Sequence, residues 1–150
     1  MYTKMVTNQE ELQQAFMLRT EVFVQEQHVP VELELDEFDK KAIHVLIVNN
    51  NQAIGCGRIL LEGDTAWIGR VAVRKPYRNQ GIGKQLMREM MKIAKENGAT
   101  VISLHAQIQV EPFYRKLGFI PHGEVFMDAG IEHIEMNLRA NQKNRSHDSL

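Results

Sequence analysis

Apolar positions along the chain change period several times, and each change marks an element. Leu12, Ala15, Phe16, Arg19, Val22 and Phe23 recur near helical spacing, which predicts a helix over residues 9–25. Asn8 precedes Glu11 at the spacing of a capping box, with Asn in the capping role. Residues 2–6 predict a short edge strand. Pro30 ends regular structure, and residues 31–40 predict a loop or short helix. Runs at 42–48 and 53–61 predict two strands joined through Asn49-Asn50-Asn51-Gln52, because Asn tolerates the left-handed conformation a tight turn needs. Glu62-Gly63-Asp64 then turns the chain into a third strand, Thr65–Val73. From Ile82 to Glu96 the period returns to that of a helix. Ile82, Leu86, Met90, Ile93 and Ala94 share one face, and Lys84, Arg88, Lys92 and Lys95 lie largely off it. Gly98 is its expected C-cap. Residues 100–104 are apolar or small throughout, as in a buried parallel strand. Residues 112–116 predict a short helix with Pro112 in its first turn, ended by Gly118. Strands at 119–127 and 132–138 complete the pattern, and the polar tail 139–150 is expected to be disordered.

The predicted order is β-α-β-β-β-α-β-α-β-β. A strand–helix–strand step at 65–104 implies one parallel pair, and the hairpins on either side imply antiparallel pairs. The expected class is therefore α/β, more closely α+β: a central mixed, mostly antiparallel sheet with helices on its faces. With no repeat and no linker, residues 1–138 are expected to form one domain.

Composition narrows the function classes. Hydrophobic residues make up 43% of the 150 and charged residues 25%, with a net charge of -1. That balance offers no argument for nucleic acid or an anionic membrane as partner. No apolar run approaches the roughly 18 residues of a spanning helix. The first residues lack the apolar stretch of a signal peptide, and the single cysteine, Cys56, excludes an internal disulfide. Cytoplasmic residence is the expectation, with Cys56 a buried structural thiol.

The chemistry concentrates at Arg78-Asn79-Gln80-Gly81-Ile82-Gly83, which follows the third strand and opens the second long helix. A Gly-rich strand-to-helix turn leaves backbone N–H groups free for an anion, and the helix N-terminus adds about half a positive charge. A P-loop needs G-x-x-x-x-G-K-[S/T]; here Arg78 holds the first glycine's place and Gln85 follows Lys84. A dinucleotide fingerprint needs a third glycine, and here that position is Leu86. The pattern R-x-x-G-x-G satisfies every specified position of the acyl-coenzyme A turn of the GNAT acetyltransferases.

About thirty residues later comes Pro112-Phe113-Tyr114-Arg115-Lys116-Leu117-Gly118-Phe119. With the turn, this segment resembles the GNAT superfamily, whose members carry F-Y-x-x-x-G-F after the parallel strand. Residues 21–27, 36–44 and 130–133 further resemble the small bacterial ElaA-like subgroup. The resemblance implies a GNAT fold whose parallel strands splay apart, with acetyl-CoA as acyl donor and co-substrate. It implies cofactor binding along Val71, Ala72 and Val73, whose main chain would hold the pantetheine arm, and at Arg78, Asn79, Gln80, Gly81, Ile82, Gly83 and Lys84. Arg74, Lys75 and Arg78 are candidates to neutralise phosphates.

The same resemblance makes Tyr114 the catalytic candidate, facing the thioester sulfur. A phenol near 10 and a thiol near 8.5 differ by about 1.5 units, roughly 2 kcal/mol against full proton transfer. A hydrogen bond that strengthens as charge reaches sulfur avoids that cost. Many relatives carry a glutamate base on the strand before the turn, where this chain has Arg70. Base candidates are Glu26, His28, Asp36, Asp39, His44 and His105, or a water chain. Five carboxylates fall within residues 32–39, the segment that covers the acceptor side in GNAT folds. Glu26, Asp36, Asp39 and His105 are accordingly candidates for acceptor binding, and a cationic amine is the expected acceptor. No metal is expected, because the histidines lack zinc-ligand spacing and the acidic run lacks an EF-hand glycine. The leading function is an N-acetyltransferase in which a primary amine attacks acetyl-CoA directly. The alternative is a non-catalytic acyl-CoA-binding regulator. A homodimer is common in the family, and peptide lysine, a protein N-terminus, an amino sugar or a polyamine all remain possible acceptors.

Overall fold

A computed structural model describes residues 1–140. Hydrogen bonding orders seven strands as β1-β2-β3-β4-β5-β7-β6. They span β1 Tyr2–Met5, β2 Ile43–Asn49, β3 Gln52–Glu62, β4 Thr65–Val73, β5 Val101–Gln107, β6 Ile120–Asp128 and β7 Ile131–Arg139. The helices are α1 Gln9–Arg19, α2 Val31–Glu34, α3 Ile82–Glu96 and α4 Glu111–Lys116. The sheet is mixed. β4 and β5 run parallel, with Thr65 to Ile68 registered on Val101 to Leu104. The pairs β1–β2, β2–β3, β5–β7 and β6–β7 are antiparallel. The predicted class holds, and β1 is an edge strand as expected.

Chain contacts divide into two compact units. The first comprises Met1–Leu60 and Gly69–Met90; the second comprises Leu61–Ile68 and the chain from Met91 onward. In the first, Asn50 and Asn51 adopt φ of 51° and 63°, the left-handed pair that closes a two-residue hairpin. Asn8 caps α1 by accepting the Glu11 N–H at 2.8 Å. The Glu11 carboxylate returns to the Thr7 N–H at 2.8 Å, one residue earlier than in a capping box. The predicted helix over 9–25 is α-helical only to Arg19. Thr20–Glu26 continues as a π-helix, carrying β-branched Thr20, Val22 and Val24, which fit the α-turn least well. Ala15, Leu18 and Val22 pack with Leu46, Val48, Ala53, Cys56 and Ala72 into one core cluster.

The buried face of α3 includes Ile82, Leu86, Met87 and Met90 in the first unit and Ile93 and Ala94 in the second. Met90 lies so close to β3 that a Cβ on Gly57 would meet its Sδ at 2.5 Å. Glycine at that position lets the helix approach the strand.

The second unit buries Ile68, Ile102, Leu104 and Met136 from three strands, together with Phe119. The predicted tail begins too early. β7 runs to Arg139, and the N–H of buried Ala140 donates to Thr100 O at 2.8 Å. Residues 141–150 lie outside the described residues.

Candidate active site

Strand β4 delivers the chain to the glycine turn. Arg74 N–H donates to Ile54 O at 2.9 Å, and a 3-10 turn over Lys75–Tyr77 follows, with Pro76 fixing its φ. The Gln80 side-chain amide donates to Pro76 O at 3.0 Å. Asn79 and Gly81 take left-handed φ of 62° and 82°. Nothing lies within 4 Å of the place a Cβ on Gly81 would occupy. The exposed turn is therefore open on that side. The intrahelical bond from Gln85 N–H to Gly81 O, at 3.0 Å, comes three residues into α3. The N–H groups of Ile82, Gly83 and Lys84 precede it and have no acceptor within the helix. Left-handed backbone and N–H groups without an intrahelical acceptor suit a phosphate.

The turn's arginines are not free. Arg78 donates through Nε to Val73 O at 2.8 Å and through Nη2 to Glu26 at 2.9 Å. Arg74 binds Glu21 through Nε at 3.0 Å and Nη2 at 3.3 Å. Lys75 and Lys84 are exposed. Val71 and Val73 are half-buried, while Ala72 is buried in the core cluster. Just before them Arg70 has φ of 53°, a left-handed conformation uncommon for a residue other than glycine.

The acidic run 32–39 differs most from its expectation as an acidic mouth. Glu34 and Asp39 are buried, Asp36 is half-buried, and only Glu32 and Glu37 are exposed. Arg19, 1% exposed, donates to Glu34 at 2.7 Å and to Asp39 at 2.8 Å. Arg58 donates to Asp36 at 2.7 Å and to Asp39 at 2.8 Å. Arg70 reaches Glu34 O at 3.0 Å and Asp36 at 3.2 Å. Three guanidiniums thus face three carboxylates, and the carboxylate charges are answered inside the protein. Burial alone would raise Asp39, but hydrogen bonds from Arg19 and Arg58 overcome it and hold its carboxyl at about 2. Burial opposes Asp36 too, yet Arg58 lowers it. For Glu34 burial wins over the arginines and pushes the carboxyl up. The buried Arg58 Nε has no hydrogen-bond partner.

This network removes several base candidates from free service. Asp36 and Asp39 are ion-paired, and Glu26 is held by Arg78. His44 is buried with Nε2 2.9 Å from Asp39 O; a carbonyl only accepts, so that nitrogen carries the proton. Burial also lowers the His44 pKa. His28 stays exposed, at φ of 61°. Cys56 is buried, and burial pushes its thiol up to about 12, as expected of a structural cysteine. Sequence reading missed the network although a signal existed. Arg19 falls on the apolar face of α1, and Arg58 interrupts the apolar run of β3. A charge on a buried face needs partners.

In the second unit Pro112 lies in the first turn of α4, which buries Tyr114. Its ring meets Phe113 edge-on at 5.1 Å and Phe119 at 6.1 Å. Burial pushes the phenol up to about 12. His105 is exposed on β5, its ring 5.2 Å from Trp67 and 4.9 Å from Phe126, with Nε2 3.9 Å from Glu135. Among the described residues no group of three or more His, Cys, Asp or Glu is placed to hold a metal. No helix among them is long and apolar enough to cross a membrane.

Residues 5–140 match the family described as the Acetyltransferase (GNAT) domain. This chain belongs to the GNAT family. It is 38% identical over 130 residues to the uncharacterized N-acetyltransferase YjcF of Bacillus subtilis, covering 86% of this chain and 93% of YjcF. It is 34% identical over 124 residues to the protein ElaA of Escherichia coli, covering 79% and 81%. The crystal structure of Escherichia coli ElaA superimposes with a TM-score of 0.84 at 29% identity, covering 91% of this chain and 99% of that one. The ElaA-like GNAT resemblance is borne out, and the chain is a transferase of the GNAT N-acetyltransferase type. A purely binding role is not favoured by these relatives. An aminoglycoside 6'-N-acetyltransferase complexed with coenzyme A shares the fold at a TM-score of 0.70 and 17% identity.

Proposed function

We propose that this GNAT protein transfers an acetyl group from acetyl-CoA to a primary amine by direct attack. The observation that carries the reading is the open turn at Gly81, with left-handed backbone at Asn79 and Gly81 and, at the start of α3, N–H groups with no acceptor within the helix. Backbone amides of residues 78–84 would hold the pyrophosphate, and the main chain of Val71 to Val73 would align the pantetheine arm like an added strand. That coenzyme A lies in a neighbour of the same fold supports the donor class.

In this reading Tyr114 is a hydrogen-bond donor to the departing sulfur. Its phenol at about 12 stands some 3.5 units above a thiol near 8.5, so full proton transfer would cost about 5 kcal/mol. A neutral O–H that donates as charge develops pays no such cost. The amine must arrive without its proton. With Asp36, Asp39 and His44 engaged elsewhere and Glu26 paired with Arg78, exposed His28, exposed His105 and a water chain are the remaining routes. Of the proposed acceptor residues, Glu26, Asp36 and Asp39 are paired with arginine, whereas exposed His105 lies beside Glu135 and two aromatic rings.

The test is release of free CoA from acetyl-CoA across a broad panel of amines, against a no-amine control. Amine-dependent release is expected, and a panel without any would refute the reaction. Tyr114→Phe should keep CoA affinity and lower kcat by about tenfold to a thousandfold. Undiminished turnover would reduce Tyr114 to packing.

A further inference from the structure

Both arginines of the proposed cofactor turn are ion-paired to one short segment. Arg78 pairs with Glu26 and Arg74 with Glu21. The two glutamates sit five residues apart on the π-helix Thr20–Glu26, whose i to i+5 repeat returns them to one side. Arg78 is held from behind, because its Nε donates to Val73 O. That anchor aims the remaining N–H groups outward, where Glu26 takes Nη2. Arg78 and Glu26 side chains are 35% and 31% exposed, so the pair is reachable from solvent. A phosphate and a carboxylate seek the same guanidinium fork.

We propose that Glu26 is a resident competitor for Arg78, a carboxylate that the phosphates of the cofactor must displace. The inference rests on the acyl-CoA reading given above and assigns Glu26 a role opposite in sign to acceptor binding. Removing Glu26 would leave Arg78 pre-aimed by Val73 O and unoccupied, so an anionic cofactor binds more tightly. An exposed pair of this kind is weak, which limits the gain to about twofold to fivefold. Displacement is reciprocal: whatever weakens the pair favours the cofactor, and bound cofactor frees Glu26. Salt screens both the pair and the phosphate contact.

Calorimetric titration with coenzyme A of the full chain, Glu26→Gln, Arg78→Gln and the double variant tests this directly. Glu26→Gln is expected to bind twofold to fivefold tighter, and Glu26→Ala to shift in the same direction. Arg78→Gln should bind more weakly, and in its background Glu26→Gln should change nothing. Unchanged or weaker binding by Glu26→Gln overturns the proposal. So does an equal gain in the Arg78→Gln background, since that would be general charge repulsion from CoA. If the unaltered protein binds no CoA, the acyl-CoA reading itself fails, which is a different result from binding that ignores Glu26.

Discussion

The glycine turn and the ion-pair network around Asp39 both belong to the first unit, and they use arginine in opposite ways. At the turn, Arg74 and Arg78 are half-exposed and pair with glutamates in reach of solvent. In the network, Arg19 and Arg58 are buried and pair with buried or half-buried acids. Exposed pairs are worth little and exchange readily, which suits a site that must admit an anionic ligand. Buried pairs are costly to break, because the abandoned charge has no water to turn to. In the proposed function the turn would bind by backbone and keep its side chains exchangeable. The network ties α1, β3 and β4 to the segment that leads from Pro30 to Lys40, and its side chains are committed.

The largest test of that contrast is Arg19→Met. It leaves Glu34 and Asp39 without their main partner and should cost about 3–5 kcal/mol in denaturant unfolding. A loss under 1 kcal/mol would mean that the network is no more committed than the turn.

Acid is the next probe. Asp39 is held below its ordinary value of 3.8, at about 2. Its contribution is therefore complete above pH 4 and lost as pH falls toward 2, amounting to about 2 kcal/mol. Glu34, pushed upward, acts in the other direction and blunts the loss. Stability followed from pH 5 to 2 should fall, and Asp39→Asn should flatten that slope. An unchanged slope would remove Asp39 from the account.

Gly81→Ala sharpens the other side. Its φ of 82° makes any side chain there strained, although the space is open. The fold should lose about 1 kcal/mol, while the Cβ would stand where the proposed phosphate approaches. CoA affinity should fall by about fivefold or more, a loss that the stability change cannot produce while the protein stays folded; equal affinity would displace the proposed phosphate site. The smallest effect belongs to Glu32→Gln and Glu37→Gln, whose exposed carboxylates should alter stability by less than about 0.5 kcal/mol. A larger loss would show that the acidic run acts as a whole.

Local rules carried much of the molecule. Periodicity alone determined Thr65–Val73 and Ile82–Glu96 to the residue, because each side chain's face follows from its neighbours within one or two turns. The Asn50–Asn51 turn was legible for the same reason, since left-handed backbone is a property of the residue itself. R-x-x-G-x-G pointed to the GNAT family because its specified positions lie within six consecutive residues. What only the tertiary structure decided is where charge goes. Asp36 and Asp39 read as acceptor-side carboxylates until β3 and β4 bring Arg58 and Arg70 to them from 19 to 34 residues away. Glu26 read as an acceptor ligand until the π-helix set it against Arg78, 52 residues on. Such pairings depend on which elements pack together, and no residue's immediate neighbours encode that. A charge's strength also depends on its distance from water, which exists only once the chain has folded.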